Sequence, residues 1–204
     1  MARKMKAAHL VGPRCFRIVE TDVPTPGEGQ VLVHVDKVGI CGSDRGMWAG
    51  HHFFNELYDW SDFKPGEHGH EAVGTVVELG SGVEGVRVGD QVVRLNLERS
   101  RDLEMACFAE YTLSDCCIVC NGADPEVMCF TDPVAVALNH VYHAQATPGD
   151  TVVVMGQGTL GLICTQLLAH NHVHVIATDV DERRLRLAEN FGAVSYTHLT
   201  LPTN

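Results

Sequence analysis

The chain has 204 residues, 45% hydrophobic and 20% charged, which is enough for one large domain or two small ones with ordinary apolar cores. Its 15 Lys and Arg against 26 Asp and Glu give a net charge of −11, which argues against nucleic acid or an anionic membrane as a partner. No apolar run has the length of a membrane span, and the start MARKMKAAHL lacks the apolar segment of a secretory signal. We therefore expect a cytoplasmic protein.

The first hundred residues predict a series of short β-strands separated by glycine-rich and proline-rich turns. The candidate strands are VLVHVDKVGI, EAVGTVVEL and QVVRLNL. Strands at this spacing indicate a barrel-like β domain. Residues 51–64 are aromatic and irregular, and we expect a loop with one helical turn there.

The pattern changes near residue 132. DPVAVALNHVYHAQ places its apolar residues on one helical face, and TVVVM is apolar enough for a strand buried on both faces. The alternation then continues with LICTQLLAH, VHVIATD and DERRLRLAENFG, which are typical of a helix, a strand and a helix. The sequence therefore predicts a β domain, a linking helix and then a parallel α/β domain.

A glycine loop lies between the first strand and helix of this second domain. Residues 156–161 read GQGTLG and match G-x-G-x-x-G, the loop whose backbone approaches a pyrophosphate at a helix N-terminus. Asp179 ends the next strand, where a carboxylate accepts hydrogen bonds from ribose hydroxyls and repels a 2′-phosphate, which favours NAD over NADP. The loop residues that we expect to bind the cofactor are Gly156, Gly158, Thr159, Leu160 and Gly161.

Cysteine, histidine and glutamate side chains offer candidate metal ligands in the first domain. Cys41 lies in GICGSD, and His70 and Glu71 lie in GEHGHEAVG. All three types ligate zinc, but spacing alone does not bring Cys41 to His70, and on composition His70 is more typical of a surface histidine. Cys117 and Cys120 form a C-x-x-C pair, which we interpret as structural because it lies in an apolar run without a second pair.

Five motifs in this order resemble the zinc-dependent medium-chain alcohol dehydrogenase family, in particular its sorbitol, polyol and threonine dehydrogenase branch. They are GICGSD, GHEAVGTVVELGSGVEGVRVGDQVV, AEY, DPVAVAL and PGDTVVVMGQGTLGL. The resemblance covers residues 5–193. It implies a GroES-like β-barrel catalytic domain over residues 1–140 and the start of an NAD-binding Rossmann domain over residues 141–193.

The resemblance also implies a set of ligands for a catalytic zinc ion. Cys41 and His70 match two of them, and Glu71 matches a neighbouring glutamate that ligates directly or intermittently. Asp132 falls where the polyol branch has glutamate, which is one methylene longer. Which of Glu71 and Asp132 is the third ligand stays open.

Other residues take their expected roles from the same resemblance. Ser43 matches the hydroxyl that relays the substrate proton, and Asp44 matches the carboxylate that orients the zinc-bound histidine. Gly42 stands where some relatives have an arginine for the cofactor phosphate, so we expect that contact from Arg184. His51, His52 and His68 could join a proton relay, although each is more typical of a surface residue.

The structural zinc of the family is expected to be absent, because residues 97–111, LERSRDLEMACFAEY, contain only Cys107 where that site has four close cysteines. The implied reaction is hydride transfer between an alcohol and NAD on one zinc ion, in a cleft between the domains. The alternatives are a zinc-free, quinone-reductase-like member of the superfamily and a non-catalytic module that binds metal or nucleotide. The expected partner is a small alcohol, and the complete protein is expected to be a homo-oligomer.

The last eleven residues, VSYTHLTLPTN, do not continue the family pattern after FGA. The nucleotide string GTC TCT TAT ACA CAT CTG ACG CTG CCG ACG encodes VSYTHLTLPT and resembles a transposon adapter used in sequencing libraries. We therefore expect residues 194–204 to be non-native and the native reading to stop at Ala193. A chain with only two Rossmann strands is expected to be inactive by itself.

Overall fold

A computed structural model describes residues 3–50, 63–95 and 107–196. The chain divides into two compact units, Met1–Asp132 and Pro133–Asn204. The domain boundary predicted after residue 140 falls inside a helix that spans this division, so it stays a prediction. Within the described ranges, a membrane-crossing helix of sufficient length and apolarity is not found.

The first unit contains a β-hairpin and a five-stranded antiparallel sheet. The hairpin pairs β1 (Lys4–Gly12) with β2 (Cys15–Asp22). The sheet has the order β6-β3-β4-β5-β7, with β3 (Val31–Val38), β4 (Ala72–Leu79), β5 (Gln91–Arg94), β6 (Tyr111–Ser114) and β7 (Cys117–Val119). A hydrogen bond from the Ala8 N–H to the Phe108 carbonyl, 2.8 Å long, ties the hairpin to the segment before β6.

Alternating apolar residues build the core of this unit. Val31 and Val33 lie on the same face of β3 and pack with Val76 and Val92 from the two strands beyond it. Residues two apart on a strand point to the same face of the sheet, which places both valines in one cluster. A second cluster, Leu10, Met47 and Phe63, packs between the hairpin and helix α1 (Gly42–Ala49).

The second unit begins with the linking helix and contains a parallel sheet. The linking helix is α3 (Thr131–Ala144), and a helix of one turn, α2 (Pro125–Met128), precedes it at the end of the first unit. The sheet has the order β10-β9-β8, from β8 (Thr151–Met155), β9 (His174–Thr178) and β10 (Val194–Tyr196). Helices α4 (Thr159–His170) and α5 (Glu182–Asn190) connect these strands, and Leu168, Val175, Ala177, Leu185 and Ala188 form their shared core.

The structure corrects one prediction about this sheet. TVVVM was expected to be buried on both faces, but Val153 is 53% exposed and Met155 78% exposed. These two residues lie on the same face of β8, where exposed and half-buried residues alternate, so this face is not covered within the described residues. Residues 194–196 pair in parallel with β9, while the origin of the segment 194–204 stays a prediction.

Candidate metal centre and nucleotide loop

Asp44 connects the two chain segments that carry the candidate ligands. Its carboxylate is buried, with Oδ2 accepting the Cys41 N–H at 2.8 Å and Oδ1 accepting the Gly69 N–H at 3.1 Å. Cys41 caps the N-terminus of α1, and Gly69 directly precedes His70. One buried carboxylate therefore holds together two segments whose proximity the spacing in the sequence did not reveal.

Three of the four predicted ligands converge. The Cys41 sulfur, a ring nitrogen of His70 and a carboxylate oxygen of Glu71 lie within 4.8 Å of one another, and the three side chains are half-buried. In the described parts of the chain this is the one group of three such side chains close enough to hold a metal ion. Sulfur, nitrogen and oxygen donors together match the ligand chemistry of zinc.

His70 offers a further observation that fits a metal. Its Nδ1 is buried and has no hydrogen-bond partner among the described residues. A buried polar nitrogen without a partner is costly unless a ligand satisfies the ring. The residues present at this site therefore fit a zinc ion, and their assignment as ligands stays a prediction.

Asp132 lies beside the group rather than inside it. Its Oδ2 is 4.0 Å from His70 Nε2, but Asp132 does not join the three side chains that lie within 4.8 Å of one another. This placement agrees with the expectation that the aspartate side chain, one methylene shorter than glutamate, has a shorter reach towards the metal. Glu71, not Asp132, belongs to the group with Cys41. Burial raises the pKa of Glu71, and the neighbouring His70 and a hydrogen bond with Cys41 offset this only in part.

The expected contact between Asp44 and the histidine ring is replaced by the two backbone bonds described above. His70 Nδ1 has no partner in the described structure, so Asp44 positions the ligands through the backbone instead of through the imidazole. Ser43 lies half-buried in the first turn of α1, next to the capping Cys41. Its role in proton relay stays a prediction.

His68 corrects another expectation, because it is not a surface residue. Its side chain is fully buried, it packs edge-on against Phe16 at 5.5 Å and Phe63 at 4.8 Å between ring centroids, and both ring nitrogens lack hydrogen-bond partners in the described part. Burial lowers its pKa, and the Asp44 carboxylate opposes this only in part. His51 and His52 lie outside the described residues.

Replacing His68 with leucine is expected to raise the free energy of unfolding by about 1–3 kcal/mol near neutral pH, because the unpaired imidazole loses its hydration without compensation. Folding lowers the pKa of His68 below its ordinary value, so the unfolded chain binds this proton more tightly. The wild-type protein should therefore lose stability as the pH falls below about 6.5, and the leucine variant should lose less.

Urea denaturation of both proteins between about pH 8 and about pH 5.5 measures this difference. His143, exposed and in the second unit, is the control position when replaced in the same way. A His68→Leu variant less stable than the wild type at every pH would contradict the interpretation.

The remaining cysteines do not form a second centre in the described ranges. Cys107 is buried, and Cys117 lies in β7 with its pKa raised to about 11 by burial, which makes it a poor source of thiolate. Residues 96–106, where the structural zinc of the family would be held, lie outside the described part. The expected absence of that zinc therefore stays a prediction.

The glycine loop of the second unit has the close approach that its pattern predicted. Gly156 has a positive φ of 86°, and its N–H donates to the Thr178 carbonyl at 2.7 Å. A Cβ on Gly161 would lie 1.8 Å from the Gly156 carbonyl oxygen, so only glycine lets the helix start this near the strand. Gly158 caps α4, which begins at Thr159 and Leu160 and leaves its first N–H groups for an anion.

Asp179 is fixed against this loop. Its Oδ2 accepts the Gln157 N–H at 2.6 Å and its Oδ1 accepts the Asp181 N–H at 2.8 Å, and these backbone bonds, the one from Asp181 first, lower its pKa. Arg184 places Nη1 3.6 Å from Asp179 Oδ2. The structure thus pairs Arg184 with the carboxylate, and its expected contact with a cofactor phosphate stays a prediction.

Gln157 is a loop residue whose role the sequence did not reveal. Its side chain is fully buried, donates to the Val154 carbonyl at 2.9 Å and accepts from the Thr165 hydroxyl at 3.0 Å. It therefore ties the loop to both β8 and α4. No local pattern in the sequence indicates this role, because it depends on the Thr165 hydroxyl of α4.

The sequence of the chain is similar to those of known proteins. Residues 27–123 match the alcohol dehydrogenase GroES-like domain. The chain is 29% identical over 221 residues to the starvation-sensing protein RspB of Escherichia coli K12, covering 93% of this chain and 61% of that protein. It is 31% identical over 210 residues to sorbitol dehydrogenase of Ovis aries, covering 89% of this chain and 57% of that enzyme.

A solved structure is also similar to the chain in its fold. The alcohol dehydrogenase rspB of Escherichia coli CFT073, in complex with NADH, superposes with a TM-score of 0.80 at 28% identity, covering 96% of this chain and 64% of that one. The chain spans 57–61% of the length of the two curated relatives named above. In its GroES-like domain, its Rossmann-type unit and its sequence, the chain is similar to zinc-type alcohol dehydrogenases and sorbitol dehydrogenases.

Proposed function

We propose that this protein is a zinc-dependent oxidoreductase that transfers hydride between a secondary alcohol or polyol and NAD. The observation that supports it most is the convergence of Cys41, His70 and Glu71 within 4.8 Å. Three protein ligands leave the fourth position of a tetrahedral zinc open for substrate, whereas structural zinc sites use four. One catalytic zinc and no structural zinc are part of the proposal.

The side chains of the centre have separate tasks in this reaction. When bound, zinc supplies a Lewis acid that lowers the pKa of the substrate hydroxyl, and NAD accepts the hydride. Cys41 and Glu71 offset the charge of the cation, and Asp44 holds the backbone on which Cys41 and His70 stand. Ser43 is our candidate for the group that takes the hydroxyl proton and passes it towards solvent.

The relatives support an alcohol as substrate and leave its identity open. One is a sorbitol dehydrogenase, and a solved structure at 26% identity is a 2R,3R-butanediol dehydrogenase from Bacillus subtilis. Both names refer to polyols. Homo-oligomerisation and the inactivity of the 204-residue chain by itself stay predictions.

Asp179 determines the choice of cofactor in this proposal. Replacing it with asparagine is expected to weaken NADH binding by about 10–100-fold, because hydrogen bonds to a charged acceptor contribute about 1.5–3 kcal/mol. NADPH binding should weaken less, since the charge that repels its 2′-phosphate is removed. Fluorescence titration of both cofactors measures the two constants.

The matched control is Asp150→Asn, an exposed aspartate that bonds the Thr147 N–H in a turn of the same unit. It should leave both constants unchanged. An Asp179→Asn variant with the wild-type ratio of NADH to NADPH affinity would contradict the assignment.

Turnover tests the proposal itself. Protein expressed from the source gene, read without interruption past residue 193, should reduce NAD with secondary alcohols or polyols and should lose this activity on chelation. Activity that survives complete metal removal would support the zinc-free reductase instead. Metal and NAD binding without turnover of any alcohol would support the non-catalytic module.

A further inference from the structure

Gly39 lies against the side chain of Glu71, just after β3 ends. The Gly39 N–H donates to the Glu71 carbonyl at 2.9 Å, so the two backbones are held side by side. A Cβ on Gly39 would lie 2.2 Å from Glu71 Oε2, 3.0 Å from its Cβ and 3.2 Å from its Cδ. The Glu71 carboxylate therefore occupies the space that any side chain at position 39 would take.

Backbone conformation does not explain the glycine at this position. Gly39 is not among the described glycines with a positive φ, so its φ lies where other residues are also allowed. The feature that requires glycine is space for the Glu71 side chain. Gly42 has nothing within 4 Å of its added Cβ, although it directly follows Cys41 in the chain.

The clash at position 39 differs in kind from those at Gly74 and Gly80 of the same unit. At Gly74 an added Cβ would meet the His34 carbonyl oxygen at 2.1 Å, and at Gly80 it would meet the Gly27 carbonyl oxygen at 1.7 Å. Those contacts are with backbone, which moves only at a cost to the fold. At Gly39 the closest atom is the end of a flexible glutamate side chain, which can rotate away while the fold is kept.

We propose that Gly39 is a positioning residue of the metal centre: its missing side chain holds open the space from which the Glu71 carboxylate reaches the ion together with Cys41 and His70. This inference rests on the proposed function. A methyl group at position 39 would push the carboxylate out of the ligand group and leave the thiolate and the imidazole in place.

Cobalt binding to the metal-free protein tests the role of Gly39. The variants are Gly39→Ala, Glu71→Ala, the double variant of both, and Gly42→Ala as the matched control. Chelator competition gives the Co²⁺ affinity, the thiolate-to-cobalt charge-transfer band reports on Cys41, and the visible ligand-field bands report on the other ligands.

Gly39→Ala is expected to weaken Co²⁺ affinity by about 10–100-fold, the range typical of groups that position metal ligands, and to match Glu71→Ala. The charge-transfer band should remain, and the ligand-field bands should change. The double variant should bind as Glu71→Ala does, because without the carboxylate there is nothing for the methyl group to displace. Gly42→Ala should bind as the wild type, and all metal-free variants should unfold at the same urea midpoint.

Two results would overturn the inference alone: wild-type affinity in Gly39→Ala, or a further loss when Gly39→Ala is added to Glu71→Ala. The second result would show that the methyl group acts on the fold and not on the carboxylate. A wild-type protein that binds no Co²⁺ would contradict the metal centre and the role of Gly39 together.

Discussion

Replacing Asp44 with alanine is expected to destabilise the first unit by about 3–6 kcal/mol and to weaken metal binding by more than about 100-fold. The buried carboxylate accepts two backbone N–H bonds, each contributing about 1.5–3 kcal/mol when the acceptor is charged. Without it the Cys41 and Gly69 amides are left unpaired, and the segments that carry Cys41 and His70 lose the bridge that Asp44 forms between them. Groups that only orient ligands already change affinity by about 10–100-fold.

Asp44→Asn provides the control for charge and shape. Asparagine keeps one acceptor oxygen, so it can satisfy one of the two amides and should fall between the wild type and the alanine variant in both quantities. Urea denaturation of the metal-free proteins and chelator competition measure stability and metal affinity separately. An alanine variant with wild-type stability would show that Asp44 does not hold the two segments together.

Replacing Gly161 with alanine is the second change with a large expected effect. The added Cβ would lie 1.8 Å from the Gly156 carbonyl oxygen, which is backbone and is fixed by the neighbouring bond from Gly156 to Thr178. Overpacking of this kind costs about 1–3 kcal/mol or more, so the second unit should lose stability and NADH binding together. Hydrogen exchange of β8 and α4 measures the loss of local stability.

Gly158→Ala separates the two effects. Nothing lies within 4 Å of a Cβ added at Gly158, so the fold should keep its stability. The methyl group would nevertheless stand where the loop backbone approaches a pyrophosphate, and NADH binding should weaken. Equal losses of stability in the two variants would contradict this account of the loop.

Periodicity and turn chemistry made several elements predictable. Strands β3 and β4 follow from apolar runs bounded by proline-rich and glycine-rich turns, α3 from its apolar face, and the β8-α4-β9 unit from the glycine loop between an apolar strand and a helix. Each of these signals is local, so it survives without knowledge of the partners. The fold class was confirmed for this reason.

Features that depend on distant partners were not predictable. The short helix α1, GSDRGMWA, has little periodicity and depends on the bond from the Cys41 N–H to Asp44 at its start. His68 was wrongly expected at the surface. Its burial depends on packing against the rings of Phe16 and Phe63, which no local pattern around residue 68 indicates. The exposure of Val153 and Met155 in β8 likewise depends on which distant elements cover that face of the strand.

The candidate site also combines features that the sequence predicts with features that it does not. Residue types made Cys41, His70 and Glu71 candidates, but contacts between distant residues bring them together. These are the pairing of β3 with β4, which the Gly39–Glu71 backbone bond continues, and the buried Asp44 carboxylate, which accepts the N–H of Gly69, 25 residues away. The missing side chain of Gly39 carries no signal in a single sequence. Its meaning comes from the Glu71 carboxylate that fills the space.

The central claim is tested most directly by measuring how many metal ions bind per chain and whether a thiolate-to-metal charge-transfer band appears. The metal-free protein should take up one Co²⁺ per chain, with a near-ultraviolet charge-transfer band that zinc removes by competition and that Cys41→Ser abolishes. Cys117→Ser, at a cysteine of β7 that belongs to no candidate metal group among the described residues, should keep that band. A protein that binds no cobalt, or whose charge-transfer band survives in Cys41→Ser, would contradict a catalytic metal centre built on Cys41, His70 and Glu71.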